Sequence, residues 1–457
     1  MCLIIEHHIV VGYPCPCIDR ELARGACHRA GETAACLQFF RNGRWHHRVH
    51  ARFSRAGCQG DSGDSHIPVS YTHLTLPTIV TFCNADSIAL TSSVIGASYN
   101  GKIISGEIKG TFTQRGYSFP LILSPETPVE ERRPQTPKPP FPYSVNDTVF
   151  IAPDGAVMSG TLTIPYQLSG SKIPAVVMVT GSGPQNRDEE IFEHRPFAVI
   201  ADYLARHGIA SLRYDDRGTG KSGGNFLTAT TDTLKSDAAG AVAFLRSLPV
   251  TGRVGVLGHS EGGTIAFMLG AEGIPDFVIS LAGMAESGKE TLMRQNRHGM
   301  DKSGLDEQDK ENSLKVVEML LDAMARQSRN GEFSEIDVDS LIKTSGVQMN
   351  PALVSTLKAS QKTRTRWLDA FVVLNPREYL VNVKSPLLAI NGDKDTQVDA
   401  DNLTVIKECV PQAKTMLMPG LNHLMQHAVT GEVDEYGEIR ETISPDVLDA
   451  IVSFIKE

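Results

Sequence analysis

The chain has 457 residues, 41% hydrophobic and 21% charged, with a formal net charge of -9. That balance excludes disordered, collagen-like and coiled-coil architectures, and the length allows two to three domains with a full core. No general basic field exists to attract nucleic acid or anionic lipid, and no apolar run reaches the ~18 to 20 residues of a membrane span, so a small-molecule partner is expected.

Composition is uneven at the start. Six of the 8 cysteines (Cys2, Cys15, Cys17, Cys27, Cys36, Cys58) lie in the first 58 residues, and 8 of the 14 histidines precede Leu74. Cys15, Cys17, Cys27, His28, His46 and His47 are ligand types, but no pair has C-x2-C or H-x3-H spacing, so no metal site is expected. The run Val69 to Thr78 (VSYTHLTLPT) resembles the conceptual translation of a transposase-type sequencing-library adapter. Residues 1–78 lack a sustained helical or strand period and are therefore expected to be non-native and irregular, with any export signal overwritten.

Residues 79–124 alternate apolar and polar side chains with glycine punctuation, the pattern of a small antiparallel β unit too short to be whole. Seven of the eighteen residues from Pro125 to Pro142 are proline, which predicts a semi-rigid linker over 125–143. Beyond it, Val149–Ala152 and Val157–Ile164 flank Pro153-Asp154-Gly155 as a hairpin. Apolar strands follow at Ala175–Thr180, Ala210–Tyr214, Val254–Leu257, Phe277–Leu281, Leu387–Asn391 and Thr415–Met418, with helical patterns between. Such alternation predicts a mostly parallel sheet with helices on both faces and chemistry at the carboxyl ends of its strands.

Gly258-His259-Ser260-Glu261-Gly262-Gly263 follows one strand and leads into a helix, the context of a nucleophile elbow. A serine hydroxyl needs a base, and the base an orienter, so the fold order serine, acid, histidine is sought downstream. Asp395 and His423 each follow a strand; Asp393 and His427 are the competing positions, closer to a turn and to the surface respectively. Two backbone N–H groups should form an oxyanion hole, one from Glu261 and one from the loop Thr180 to Pro184, with Ser182 the best candidate. Asp215 to Ser222 looks like a phosphate loop but lacks the G-x4-G-K-[ST] spacing and is read as structural.

Residues 144–457 resemble an α/β-hydrolase. The runs Thr180 to Glu189, Tyr214 to Gly218 and Gly258 to Gly263 are similar to a bacterial carboxylesterase branch that carries serine aminopeptidase-like or dienelactone hydrolase-like names. The resemblance implies an α/β-hydrolase domain over 144–457 preceded by a partial small β domain and a proline-rich linker. It also implies an exported, periplasmic native protein, whereas the sequence taken as given reads as cytoplasmic.

The stretch of about a hundred residues between Leu281 and Leu387 predicts a helical cap over about 284–380. Leu314, Val317, Leu321 and Met324 share one helical face as its core, and Trp367 and Phe371, one turn apart, are candidates to line the substrate pocket. These groups together predict a serine esterase for short acyl or acetyl esters that works through an acyl-enzyme and needs no metal or organic cofactor. The same triad fits a serine peptidase, aminopeptidase or amidase, and a thioesterase or lactonase. Oligomeric state has no signature here.

Overall fold

Apolar strands such as Ala175–Val179 have no polar face to offer water, so both sides of their sheet must be covered. The computed structural model describes residues 35–37, 49–51, 66–71, 74–83, 86–92, 97–104, 107–114, 117–125, 132–166 and 172–457. These fall into two compact units that divide between Arg132 and Arg133.

The first unit is a closed barrel of eight strands: β1 (Ala35–Leu37), β2 (Val49–Ala51), β3 (His66–Tyr71), β4 (Leu74–Cys83), β5 (Ser87–Ser92), β6 (Ala97–Ile104), β7 (Glu107–Gln114) and β8 (Tyr117–Pro125). Strands β3 to β8 form an antiparallel meander. Inside it, the Tyr99 ring lies against Gly101 and Gly110, where any Cβ would collide with it, and its hydroxyl donates to the Ile108 carbonyl at 2.9 Å. Most of residues 1–78 lie outside the described residues, including Cys15, Cys17, Cys27, His28, His46 and His47; the described part supplies β1, β2, β3 and the start of β4.

The second unit holds an eight-stranded sheet in the order β16-β15-β14-β13-β11-β12-β10-β9. Its strands are β9 (Tyr143–Ile151), β10 (Val157–Pro165), β11 (Ile173–Val179), β12 (Ala210–Tyr214), β13 (Thr251–His259), β14 (Val278–Leu281), β15 (Leu387–Gly392) and β16 (Lys414–Met418). From β12 to β16 every neighbouring pair is parallel, and β9 and β10 add an antiparallel edge. Helices α2 (Thr231–Ser247), α3 (Glu261–Ala271) and α10 (Asn402–Cys409) cover one face, and α1 (Pro196–Arg206) and α11 (Pro445–Lys456) cover the other. The period of two is explicit on β11, where Ala175, Val177 and Val179 enter one core and Val176 and Met178 the other.

Between β14 and β15 the chain makes α4 (Gly288–Asp301), α5 (Glu307–Arg329), α6 (Val338–Ser345), α7 (Pro351–Lys362), α8 (Arg366–Val373) and α9 (Arg377–Leu380). Leu314, Val317, Leu321 and Met324 are all buried in their common core. Helix α4 opens with a Ser287/Glu290 capping box and α5 with Asp306 accepting the Asp309 N–H at 2.8 Å. Among the described residues, no helix is long and apolar enough to cross a membrane.

The proline-rich stretch is tied down from Arg133 onward. The buried Arg133 guanidinium donates to the carbonyls of Phe192 (2.8 Å), Gly437 (2.8 Å) and Ile439 (2.7 Å). The loop that resembles a phosphate site is held as structure: Asp215 accepts the Arg187 side chain at 2.7 Å and the Lys221 N–H at 3.0 Å. Arg217 meets the buried Asp237 of α2 through Nε at 2.8 Å, and this hydrogen bond pushes the guanidinium pKa up. Arg217→Met should lower the unfolding free energy by about 3–5 kcal/mol in urea titration, because Asp237 is left buried without its partner. Adding Asp237→Leu should recover part of that loss.

Candidate active site

Four loops leave the carboxyl ends of β11, β13, β15 and β16 on one edge of the sheet, with β14 between β13 and β15. In the β13–α3 turn Ser260 adopts φ 53 and ψ -120, a left-handed strain uncommon for a residue with a Cβ. The turn has no room for more side chains: a Cβ on Gly258 would lie 1.9 Å from the Gly262 carbonyl oxygen, and one on Gly262 would lie 2.1 Å from that of Val179. Ser260 N–H donates to the Leu281 carbonyl at 2.9 Å, and its own carbonyl accepts Gly263 N–H at 2.9 Å.

After β15, Asp395 turns inward. Its Oδ1 accepts the N–H groups of Gln397 (2.8 Å) and Val398 (2.9 Å), and its Oδ2 accepts His423 Nδ1 at 2.8 Å. Both side chains are almost wholly buried. The competing residues are occupied elsewhere: Asp393 accepts the Gly420 N–H at 2.6 Å, and His427 pairs with Glu441 at an exposed site. His423 lies beside the elbow, since its ring centre is 4.8 Å from that of His259 and its carbonyl accepts His259 Nε2 at 2.8 Å.

On the β11 side, a Cβ on Gly181 would come within 3.3 Å of Ser260 Cβ, so the Thr180–Pro184 loop passes directly over the elbow. Neither the Ser182 nor the Glu261 N–H enters a hydrogen bond among the described residues. The Glu261 carboxylate is buried and held by side chains of other elements. Thr231 Oγ1 (2.7 Å) and Trp367 Nε1 (2.9 Å) donate to it. Burial pushes the Glu261 carboxyl pKa up, and the neutral donors around it offset part of that rise. Asp216, held by Gln185 N–H at 2.8 Å and Thr180 Oγ1 at 2.9 Å, is pushed well up for the same reason.

Trp367 therefore reaches into the site through its N–H, whereas Phe371 is buried in the cap core with its ring 5.1 Å from that of Trp367. Sequence reasoning passed over Glu189, whose Oε1 accepts Gly181 N–H at 2.6 Å and His259 Nδ1 at 3.0 Å. The only cue was a histidine inside an otherwise apolar strand end. Among the described residues, no group of three or more His, Cys, Asp or Glu side chains is arranged to hold a metal ion.

The family model for X-Pro dipeptidyl-peptidase (S15 family) matches residues 154–427. Esterase EstD of Thermotoga maritima is 29% identical over 279 residues, 60% of this chain and 59% of that protein, so the chain spans less than two thirds of that relative's length. Among solved structures, an esterase of Pyrococcus furiosus is 17% identical with a TM-score of 0.43, over 69% of this chain and 91% of its own. Est1E from Butyrivibrio proteoclasticus with ferulic acid bound is 17% identical with a TM-score of 0.40, over 68% and 98%.

Two substitutions test this geometry. Trp367→Phe keeps the ring but removes one donor from a buried carboxylate, and should lower stability by about 1–3 kcal/mol in denaturant titration. Gly258→Ala forces a Cβ into the Gly262 carbonyl and should yield little soluble protein, against normal yield for a control Gly208→Asn, where a left-handed turn has open space.

Proposed function

The chain belongs to the X-Pro dipeptidyl-peptidase (S15) family, and from that premise we propose that it is a serine hydrolase whose substrates are carboxylic esters, short acyl or acetyl esters first. The observation that carries this reading is the buried 2.8 Å contact between His423 Nδ1 and Asp395, set against an elbow whose serine is held at positive φ. Similarity to Esterase EstD supports the ester over other acyl compounds.

In this reading Ser260 Oγ attacks the ester carbonyl while His423 Nε2 takes its proton. Asp395 fixes the tautomer by accepting from Nδ1, and its other oxygen is locked by two backbone donors, so the imidazole cannot rotate away. The negative charge of the tetrahedral intermediate falls to the free N–H groups of Ser182 and Glu261. Collapse expels the alcohol, which takes the proton from His423, and leaves an acyl-Ser260; water then repeats the sequence with His423 again as base. A small-molecule ester is the partner this requires.

A second reading, a serine peptidase or amidase with the same groups, is favoured by the family match itself. Thioesterase or lactonase action would use the same triad. Hydrolysis of p-nitrophenyl esters from acetate to decanoate, measured beside aminoacyl and X-Pro p-nitroanilides, separates the readings. The full-length chain should turn over the short esters fastest, and Ser260→Ala should lose on the order of 10⁶ in kcat. Anilide cleavage without ester preference would give the peptidase reading precedence, and full activity in Ser260→Ala would remove the serine mechanism.

A further inference from the structure

The position just before the candidate nucleophile carries an unusual demand. His259 is buried, with Nδ1 3.0 Å from Glu189 Oε1 and Nε2 2.8 Å from the His423 carbonyl oxygen. A carbonyl oxygen only accepts, and Glu189 Oε1 already accepts the Gly181 N–H at 2.6 Å, the state a carboxylate favours. A neutral imidazole has one N–H, so it would set a lone pair against an acceptor at one of these contacts. With both nitrogens protonated, the ring donates in both directions and Glu189 supplies the opposing charge within the buried site.

We propose that His259 is held as an imidazolium paired with Glu189, and that this cation is a positioning residue for the reaction proposed above, on which reading its catalytic role rests. The pair joins three of the four loops of the site. Glu189 grips Gly181, next to the oxyanion donor Ser182; His259 precedes Ser260; and the second N–H of His259 grips the backbone of His423. The groups that face it are Glu189 after β11, Asp395 after β15, and the His423 ring and carbonyl after β16. Asp216 after β12 and Glu261 on α3 lie farther off as buried acids within the field of one another, with Asp216 also within that of Glu189. Burial works to lower the His259 pKa, but the Glu189 charge and hydrogen bond, the His423 carbonyl and Asp395 outweigh it, and the net shift is upward from 6.5. The pair's contribution to stability is therefore complete below pH 6.5 and is lost as the pH climbs through the raised folded-state value.

Nitrogen NMR of the full-length Ser260→Ala protein with labelled histidine, assigned by the signals that vanish in His259→Gln, reads the protonation directly and requires no turnover. Two protonated ring nitrogens at pH 7.5 are expected; a single neutral tautomer would overturn the proposal whatever the substrate proves to be. In parallel, Glu189→Gln keeps the shape and the acceptor for Gly181 but removes the charge. Its alkaline limb of kcat for p-nitrophenyl acetate should move down by about one pH unit or more, each unit a tenfold loss on that limb, with KM changed less than about twofold. An unmoved alkaline limb in folded Glu189→Gln protein would overturn the positioning role, and if that variant does not fold the NMR result decides alone. Absence of ester turnover in the unmutated chain would instead strike the esterase reading and leave the charge state of His259 standing.

Discussion

Backbone touches backbone where β13 turns into α3, with no side chain between: the α-carbon of Gly258 faces the Gly262 carbonyl, and that of Gly262 faces the carbonyls of Val179 and Thr180. The arrangement on the carboxyl edge of the sheet depends on this contact. It lets α3 begin directly above the neighbouring strand, and the chain can do so only if Ser260 takes a left-handed conformation that costs on the order of 1–3 kcal/mol. The cost is offset by hydrogen bonds on both sides of the residue and by a helix buried nearly all round, from Glu261 to Gly270. The same geometry leaves the Glu261 N–H without an acceptor among the described residues. Strain and the free donor are thus two results of one packing constraint.

Around that contact the protein buries more acid than base. Asp215 has Arg187 as a partner and Glu189 has His259, but Asp216 and Glu261 are satisfied by neutral donors alone. Neutral donors hold a carboxylate in place without cancelling its desolvation, which is why burial dominates the pKa of both. Each acid also spans elements. Asp216 joins β12 to the loop after β11, and Glu261 joins α3 to α2 and, through Trp367, to the cap. The cap is consequently hydrogen-bonded to the residue that directly follows Ser260.

Features with a local imprint were legible in the sequence. Apolar strands bounded by glycine gave the parallel sheet, the G-x-S-x-G spacing singled out Ser260 as a candidate, and the turns after β15 and β16 offered Asp395 and His423 with one competing residue each, Asp393 and His427. Features that depend on distant pairing left no such imprint. Glu189 and His259 are 70 positions apart, and Glu261 and Trp367 are 106 apart, so no period or spacing connects them. The first edge strand was also underestimated: β9 starts at Tyr143 because its partner β10 pairs with it along nine residues, although Ser144, Asn146 and Thr148 weaken the apolar signal. The pair Trp367 and Phe371 shows the limit of helical-face reasoning. One turn apart, they point the same way, yet one ends on a carboxylate and the other in the cap core.

The Arg133 clasp has a consequence for how the molecule is made. Its guanidinium closes onto carbonyls 304 and 306 residues further along the chain, and Gln135 reaches Ile443, 308 residues on. Contacts of that separation contribute nothing until the last segment exists, whereas the entropy of closing so long a loop must be met beforehand. The Phe192 carbonyl, 59 residues on, can engage Arg133 much earlier, but the clasp closes only when residues 437–443 are in place. The Arg133 segment is therefore fastened by residues far along the chain, and removing residues 437–443 would unfasten it as well as the segment that is lost.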